Sequence, residues 1–550
     1  MKIAGLILLQ IIFLNNILFS QNKEEQGMFF TRKEYIHHPL PQFDKTKSLL
    51  PSPIYDENPL WVETYWKAWE MAFKNFHEPA SGSGFVSQFL DPAFNENIFL
   101  WDGAFMTMFL NTAYPLVPGI SSLDNFYVKQ HSTGEICREI NRTTGKDVDL
   151  WQNTEKQPLF SRIGFDTWDE RQTTKVIYRG RKVPEPNPEL TLDALNHPIL
   201  AWAEMESYKW TGDKERLKSV RLPLIKYYEA LKKYLLQGNG LYMTDWASMD
   251  NSPRNTCLNK GGTAIDMSSE MVLFARNLAE IDDAIGLVTD SKIYKIEADS
   301  LASIINSKMW DEKKKFYFDL TIDELKCPIK TIAGFWPLIS KTATPEKAEM
   351  LVDQLKNPQT FGRLHPVPTI AADEKGFSPK GGYWSGAVWT MTNTMIIKGL
   401  EEYHFDELAR DIALKHLNAI ALVYKETGTF WENYAPDSIK EGRHPNGVPV
   451  IKDIVGWGAL APVLYFIEYG IGLKPDAPKN ELVWNLKSNR RCGMENFRFN
   501  GHVTSLIASP DNNGFKVKVD SDSFYTLIMK HNGRLNKKEI KKGENSFSIN

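Results

Sequence analysis

Apolar residues recur at three- and four-residue intervals through most of the chain and give way to strict alternation only near its end. At 60–73, Trp61, Tyr65, Trp69 and Phe73 fall on one face of a helix, so that face is expected to pack in a core. The same period predicts helices over 101–113, 197–211, 217–236, 268–286, 291–309, 345–355, 389–402, 405–423 and 458–469. They come as pairs joined by loops rich in Gly, Asp, Trp and Pro. Ten or more helices without intervening strands predict an all-α domain, and pairing in this number suggests a closed toroid with site loops at one end. Beyond Pro475 the period drops to two: ELVWNL at 481–486, FRFNGHVTSLI at 497–507, FKVKV at 515–519 and SFYTLIM at 523–529 are separated by Gly, Asn and Asp. This predicts a small β accessory module, near the lower size at which a domain stands alone.

The first twenty residues read differently from everything after them. One lysine, an apolar run and Ser20 before Gln21 make a secretory signal peptide, too short and wrongly flanked for a spanning helix. No cysteine follows the run, so no lipid anchor is expected. The expected division is therefore signal peptide 1–20, N-terminal extension 21–59, helical catalytic domain 60–474 and β module 475–550, in a periplasmic or secreted product. The net charge of -3, without a basic run, removes nucleic acid and anionic membranes as expected partners. Cys137, Cys257, Cys327 and Cys492 are scattered without metal-ligand spacing, so they read as buried thiols or an occasional bridge.

Sixteen tryptophans are many for a soluble chain, and they gather around carboxylates. The segment TDWASMDNSPR at 244–254 and the segment TGTFWENYAPD at 427–437 each set an acid among indoles and turn-formers. Sugar cleavage needs two opposed carboxyls and flat apolar walls. Asp250 is the best acid candidate, with Trp246 placed to desolvate it, Asn251 beside it and Arg254 placed to orient the sugar or the carboxyl; taken alone, it reads more readily as a cap or turn residue. Glu432, between Trp431 and Tyr434 and near the Gly-Trp457-Gly turn, reads equally as a tuned acid/base or half of a salt bridge. Glu426 and Asp437 are its rivals. In FLWDGAF at 99–105, Asp102 either caps a helix or accepts from sugar hydroxyls while Trp101 stacks on the ring. GGYWSGAVW at 381–389 offers Trp384 and Trp389 as a pocket wall, at the end of a loop from 362 that is long for a connector.

Five of these segments stand in a familiar order: LWDGAF at 100–105, ASMDNSPR at 247–254, GYWSGAVW at 382–389, TFWENY at 429–434 and VGWG at 455–458. In them the chain resembles the (α/α)6-barrel glycosidases related to trehalases and family 63 glycoside hydrolases, the mannosylglycerate-hydrolase-like group in particular. The resemblance implies an exo-acting α-glycosidase, Asp250 as general acid and Glu432 as general base. It also implies inversion of the anomeric centre, with the carboxyls about 6.5 to 9.5 Å apart to admit water. Trp101, Asp102, Arg138, Trp246, Asn251, Arg254, Trp384, Trp389, Trp431 and Trp457 are the expected substrate-binding residues. No metal or organic cofactor is implied, and the protein is expected to act on an oligosaccharide as a monomer. One departure stands out, because relatives of this kind usually carry Arg where this chain has Ser385. Loss of a guanidinium changes what the pocket can hold.

Two other readings compete. A lyase or dehydratase for uronate-ended oligosaccharides needs a base and a carboxylate-neutralising group, which His131, Arg138, Arg363 and His365 offer. A carbohydrate-binding protein without turnover would keep the aromatic walls, but intact Asp250 and Glu432 argue against it.

Overall fold

The computed structural model describes residues 26–148, 197–244, 249–258, 262–512 and 514–549. The expected leader and Trp246 lie outside the described residues. Ten helical segments of eleven or more residues are found among those described: α1 Pro59–Lys74, α2 Leu100–Leu110, α3 Leu200–Thr211, α4 Lys214–Leu235, α5 Ile265–Ile285, α6 Val288–Lys308, α7 Pro345–Lys356, α8 Thr390–Glu402, α9 Asp406–Thr427 and the π-helical α10 Ala461–Ile471. Asp213 caps α4 by accepting from the Arg216 N–H at 2.9 Å, and Thr344 caps α7. These caps explain why α4 begins three residues before its apolar period does.

The helices divide by burial. In α2, α3, α5, α8 and α10, and in the short run Ile332–Phe335 continuing into Trp336–Ile339, nearly every residue is buried. A helix apolar all round belongs inside a large core. By contrast α1, α4, α6, α7 and α9 bury one face only. The buried segments touch in sequence: α2 on α3, α3 on α5, α5 on Trp336–Ile339, and that turn on α8. The Thr394 and Tyr465 hydroxyls join α8 to α10 at 2.7 Å, and α10 returns to α2.

Nine strands build two further sheets: β1 Ser52–Tyr55, β2 Leu473–Asp476, β3 Glu481–Asn485, β4 Cys492–Phe499, β5 His502–Asp511, β6 Gly514–Ser521, β7 Tyr525–His531, β8 Arg534–Ile540 and β9 Gly543–Ile549. Their orders are β1-β4-β5-β6-β9 and β8-β7-β3-β2. All pairings are antiparallel except β3 with β7. β1 comes from the stretch expected to be a separate extension, and Ser52 to Tyr55 align with Glu495 to Cys492. The β unit is therefore closed by a strand from the far end of the sequence, which local alternation over four residues was too short to announce.

The sheets dock where inner helices end. The Asn500 N–H donates to the Trp210 carbonyl at 2.7 Å, and Trp210 packs against Phe497 with ring centroids 5.5 Å apart. The motifs singled out above sit at the opposite ends of the same helices. Asp102 lies in the first turn of α2 and Trp389 just before α8; His197, just before α3, and Asp266, in the first turn of α5, stand at the same ends though no motif marked them.

Candidate active site

Three loop segments bring the chemistry together. Val388 and Tyr434 exchange both backbone hydrogen bonds, at 2.9 and 3.0 Å, and the Tyr383 N–H donates to the Arg443 carbonyl at 3.0 Å. These pairings lay the 381–389 turn beside the segment carrying Glu432. Glu432 is itself fixed by its own N–H on the Ile451 carbonyl at 2.9 Å, and by the Trp457 indole N–H on its carbonyl at 2.6 Å.

The Glu432 carboxyl is almost fully buried and accepts from the Tyr383 hydroxyl at 2.8 Å and from the Ile451 N–H at 3.4 Å. Burial pushes its pKa up to about 7; the two donors oppose this, and nearby Asp102 adds to it. No cation pairs with it among the described residues. The salt-bridge reading of Glu432 therefore has no partner to rest on among the described residues. Its rivals are elsewhere: Glu426 is exposed, and Asp437 is held by the Arg363 guanidinium at 2.7 and 2.8 Å.

Tyr383 links the acids. Its hydroxyl is driven well above the usual tyrosine range by burial first, then by the charges of Asp250 and Glu432 and, more weakly, Asp102. Its backbone has φ of 61°, a left-handed conformation that non-glycine residues enter at a cost of about 1–2 kcal/mol. Strain of this kind persists where a site over-determines it. Tyr383 was not among the expected site residues. Its signal was the Gly381-Gly382 pair before it, which frees the turn to carry a strained aromatic.

Asp102 does not cap its helix, since Phe99 holds the N-cap position of α2. Burial pushes the Asp102 carboxyl up to about 7, opposed by its own backbone N–H and by Arg138, with Glu139 adding to the rise. Around these acids the indoles form a run: Trp101 to Trp384 at 6.4 Å, Trp384 stacked on Trp389 at 4.2 Å and 12°, and Trp389 to Trp457 at 5.9 Å. His197 packs on Trp101 at 4.4 Å. The Trp101 and Trp389 indole N–H groups are buried without a hydrogen-bond acceptor among the described residues. Trp431 does not join the run; it is half-buried, with its N–H turned to Thr427 at 3.1 Å.

Two expected sugar contacts are corrected. Arg254 is wholly buried and clamped by two carboxylates, Asp266 on Nη1 and at 2.8 Å on Nη2, and Asp319 at 2.8 and 2.6 Å. It anchors the Asp250 loop from beneath and has no face left for a sugar. The Cys257–Cys327 disulfide staples the same loop to the segment bearing Asp319, while Cys137 and Cys492 remain buried thiols. Asn251 spends its side chain on protein backbone, donating to the Gly382 carbonyl at 3.0 Å and accepting from the Trp384 N–H at 2.8 Å.

The groups required for elimination do not converge. His131 is paired with Asp147 at 2.7 Å, and Arg363 is spent on Asp437. His365 is buried against His416 at 2.6 Å, where burial lowers its pKa to about 3. Of the four, Arg138 alone is placed at the acids, beside Asp102.

The model of the mannosylglycerate hydrolase MGH1-like glycoside hydrolase domain matches residues 165–444, half of the chain. The chain belongs to this family. The enzyme is a glycoside hydrolase. It is 34% identical over 130 residues to the mannosylglycerate hydrolase of Thermus thermophilus, a match covering 23% of this chain and 29% of that one. It is 32% identical over 359 residues to an uncharacterized protein of Borreliella burgdorferi, covering 63% and 73%. The solved family 63 mannosylglycerate hydrolase from Thermus thermophilus, in complex with glucose, shares the fold at a TM-score of 0.52 and 17% identity, covering 73% of this chain and 99% of that one.

Proposed function

We propose that the enzyme is an exo-acting α-glycosidase that cleaves a small glycoside or oligosaccharide outside the cytoplasm, by a single inverting displacement. The six buried segments, each touching the next, are read as the inner ring of an (α/α)6 toroid with the site at the end where they begin. Asp250 protonates the leaving oxygen. Glu432 takes a proton from a water that attacks the anomeric carbon from the other side, and the indoles and Asp102 hold the sugar. The observation that carries this reading is the buried Glu432 carboxyl, with no cation on it among the described residues, bonded to the strained Tyr383 of the turn to which Asn251, next to Asp250, is hydrogen-bonded.

Mannosylglycerate, named for the matched relatives, is the first substrate to test, followed by neutral α-linked oligosaccharides. Release of the free sugar by wild type, with no turnover by Asp250→Asn or Glu432→Gln at unchanged melting temperature, is the expected result. Near-normal turnover in either variant overturns the assignment, and an unsaturated uronate product overturns hydrolysis. The Cys257–Cys327 bridge suits an oxidising compartment, which supports export through the apolar leader. Sequencing the N-terminus of the exported protein tests this, with Gln21 expected first.

A further inference from the structure

We propose that Asn251 and Ser385 form a clasp that docks the loop of the general acid onto the turn that holds the general base, so that the distance between the two carboxyls is set by direct bonding and not by the barrel alone. This rests on the reading of Asp250 as acid and Glu432 as base. Asn251 follows Asp250 directly, and its amide is satisfied at both ends by the 382–385 turn: Nδ2 donates to the Gly382 carbonyl at 3.0 Å, and Oδ1 accepts from the Trp384 N–H at 2.8 Å. The Ser385 hydroxyl closes the contact from the other side, donating to the Asn251 carbonyl at 3.3 Å, with Asn251 Nδ2 also 3.4 Å away. Between those bonded positions stands Tyr383, whose hydroxyl is on Glu432. A line of covalent and hydrogen bonds therefore runs from Asp250 through Asn251, the turn and Tyr383 to Glu432.

The turn is built to be rigid. Gly382 has φ of 61°, and a Cβ there would come within 2.7 Å of the Ser378 side chain, so a side chain at this position would strain the turn. The Ser378 N–H donates to the Ser385 carbonyl at 2.9 Å, closing the turn behind the clasp. Beneath the acid loop, Asn255 donates to the carbonyls of Met249 and Asp250, both at 3.0 Å. The Asp250 carbonyl is thus held by Asn255, and the neighbouring Asn251 by the clasp. At position 385 a short hydroxyl reaches the Asn251 carbonyl. Asn251 and Ser385 are positioning residues.

A displaced acid has a signature that a merely loosened protein lacks. Fluoride leaves an anomeric carbon without protonation, whereas an alcohol does not. The probes are α-D-mannosyl fluoride and α-D-glucosyl fluoride, set against mannosylglycerate and the matching α-linked disaccharides. For Asn251→Ala, kcat on the alcohol-leaving substrates is expected to fall roughly 100-fold, the scale of lost general acid catalysis, while kcat on the fluoride falls less than about 10-fold. Ser385→Ala, which loses one long hydrogen bond, is expected to fall about 3- to 10-fold with the same leaving-group dependence, and Ser385→Thr to restore it. Equal losses on both substrate types, or a change in KM alone, overturn the clasp. So does unchanged kcat in Asn251→Ala. Ser385→Ala carries the test if Asn251→Ala does not fold. A wild-type enzyme inert toward both fluorides and every alcohol-leaving substrate instead refutes the reading of the site on which the clasp depends, so the two failures are told apart by wild type.

Discussion

Replacing Tyr383 with Phe removes one hydrogen bond, at 2.8 Å, to the carboxyl read as the general base. A base works only when ionised, so the acidic limb of kcat/KM follows the Glu432 pKa. Burial places that pKa at about 7, with the Tyr383 hydroxyl among the groups holding it down. Without that donor, ionised Glu432 loses the stabilisation of a hydrogen bond to a charged group, about 1.5–3 kcal/mol. At 1.36 kcal/mol per unit this raises the pKa by about one to two units. The acidic limb is therefore expected to move upward, and the rate at pH 6 to fall roughly 10- to 100-fold, with much of the loss recovered in alkaline buffer. The assay is a pH series of kcat/KM, at fixed ionic strength, with melting temperature measured alongside. A limb that stays in place or moves downward refutes the argument, and so does a loss equal at every pH.

Other perturbations follow from the anchors of the acid loop. Arg254→Met leaves Asp266 and Asp319 buried without their shared cation, so destabilisation of about 3–5 kcal/mol is expected from chemical unfolding; a cost under about 1 kcal/mol contradicts the clamp. The paired Cys257→Ser and Cys327→Ser variant opens a loop with a sequence separation of 70 and is expected to lose about 4 kcal/mol on the chain-entropy account. Adding reductant to it should then change nothing further, and a further fall in melting temperature would show that the bridge is not the sensitive group. Trp457→Phe removes the 2.6 Å bond to the Glu432 carbonyl and is expected to lower kcat several-fold with little change in melting temperature, read from steady-state kinetics; unchanged kcat contradicts its part in holding the base.

The helical body was legible because one physical signal dominates it. A 3.6-residue apolar period located every long helix among the described residues, and Trp61, Tyr65 and Trp69 are buried on the face that the period selected. The carboxylates and most of the indoles were legible as residue types suited to sugar chemistry. Their partners were not. Arg254 beside a candidate acid reads as a ligand-facing cation until Asp266 and Asp319 arrive from other segments to consume it. Asn251 looked outward for the same reason, since its acceptor and donor lie more than a hundred residues away at Gly382 and Trp384. Tyr383 was visible only as an aromatic following a Gly-Gly pair, because strain and a hydroxyl bond to Glu432 are properties of the assembled turn. β1 was missed because a four-residue strand gains its identity from the strand that it joins.

The most direct test of the account follows the anomeric proton of the released sugar by NMR during the first minutes of turnover of an α-glycoside that the enzyme cleaves. Initial release of the β anomer, which then mutarotates toward equilibrium, is the predicted result. Initial release of the α anomer would contradict a water-activating Glu432 opposed to Asp250, and with it the central claim.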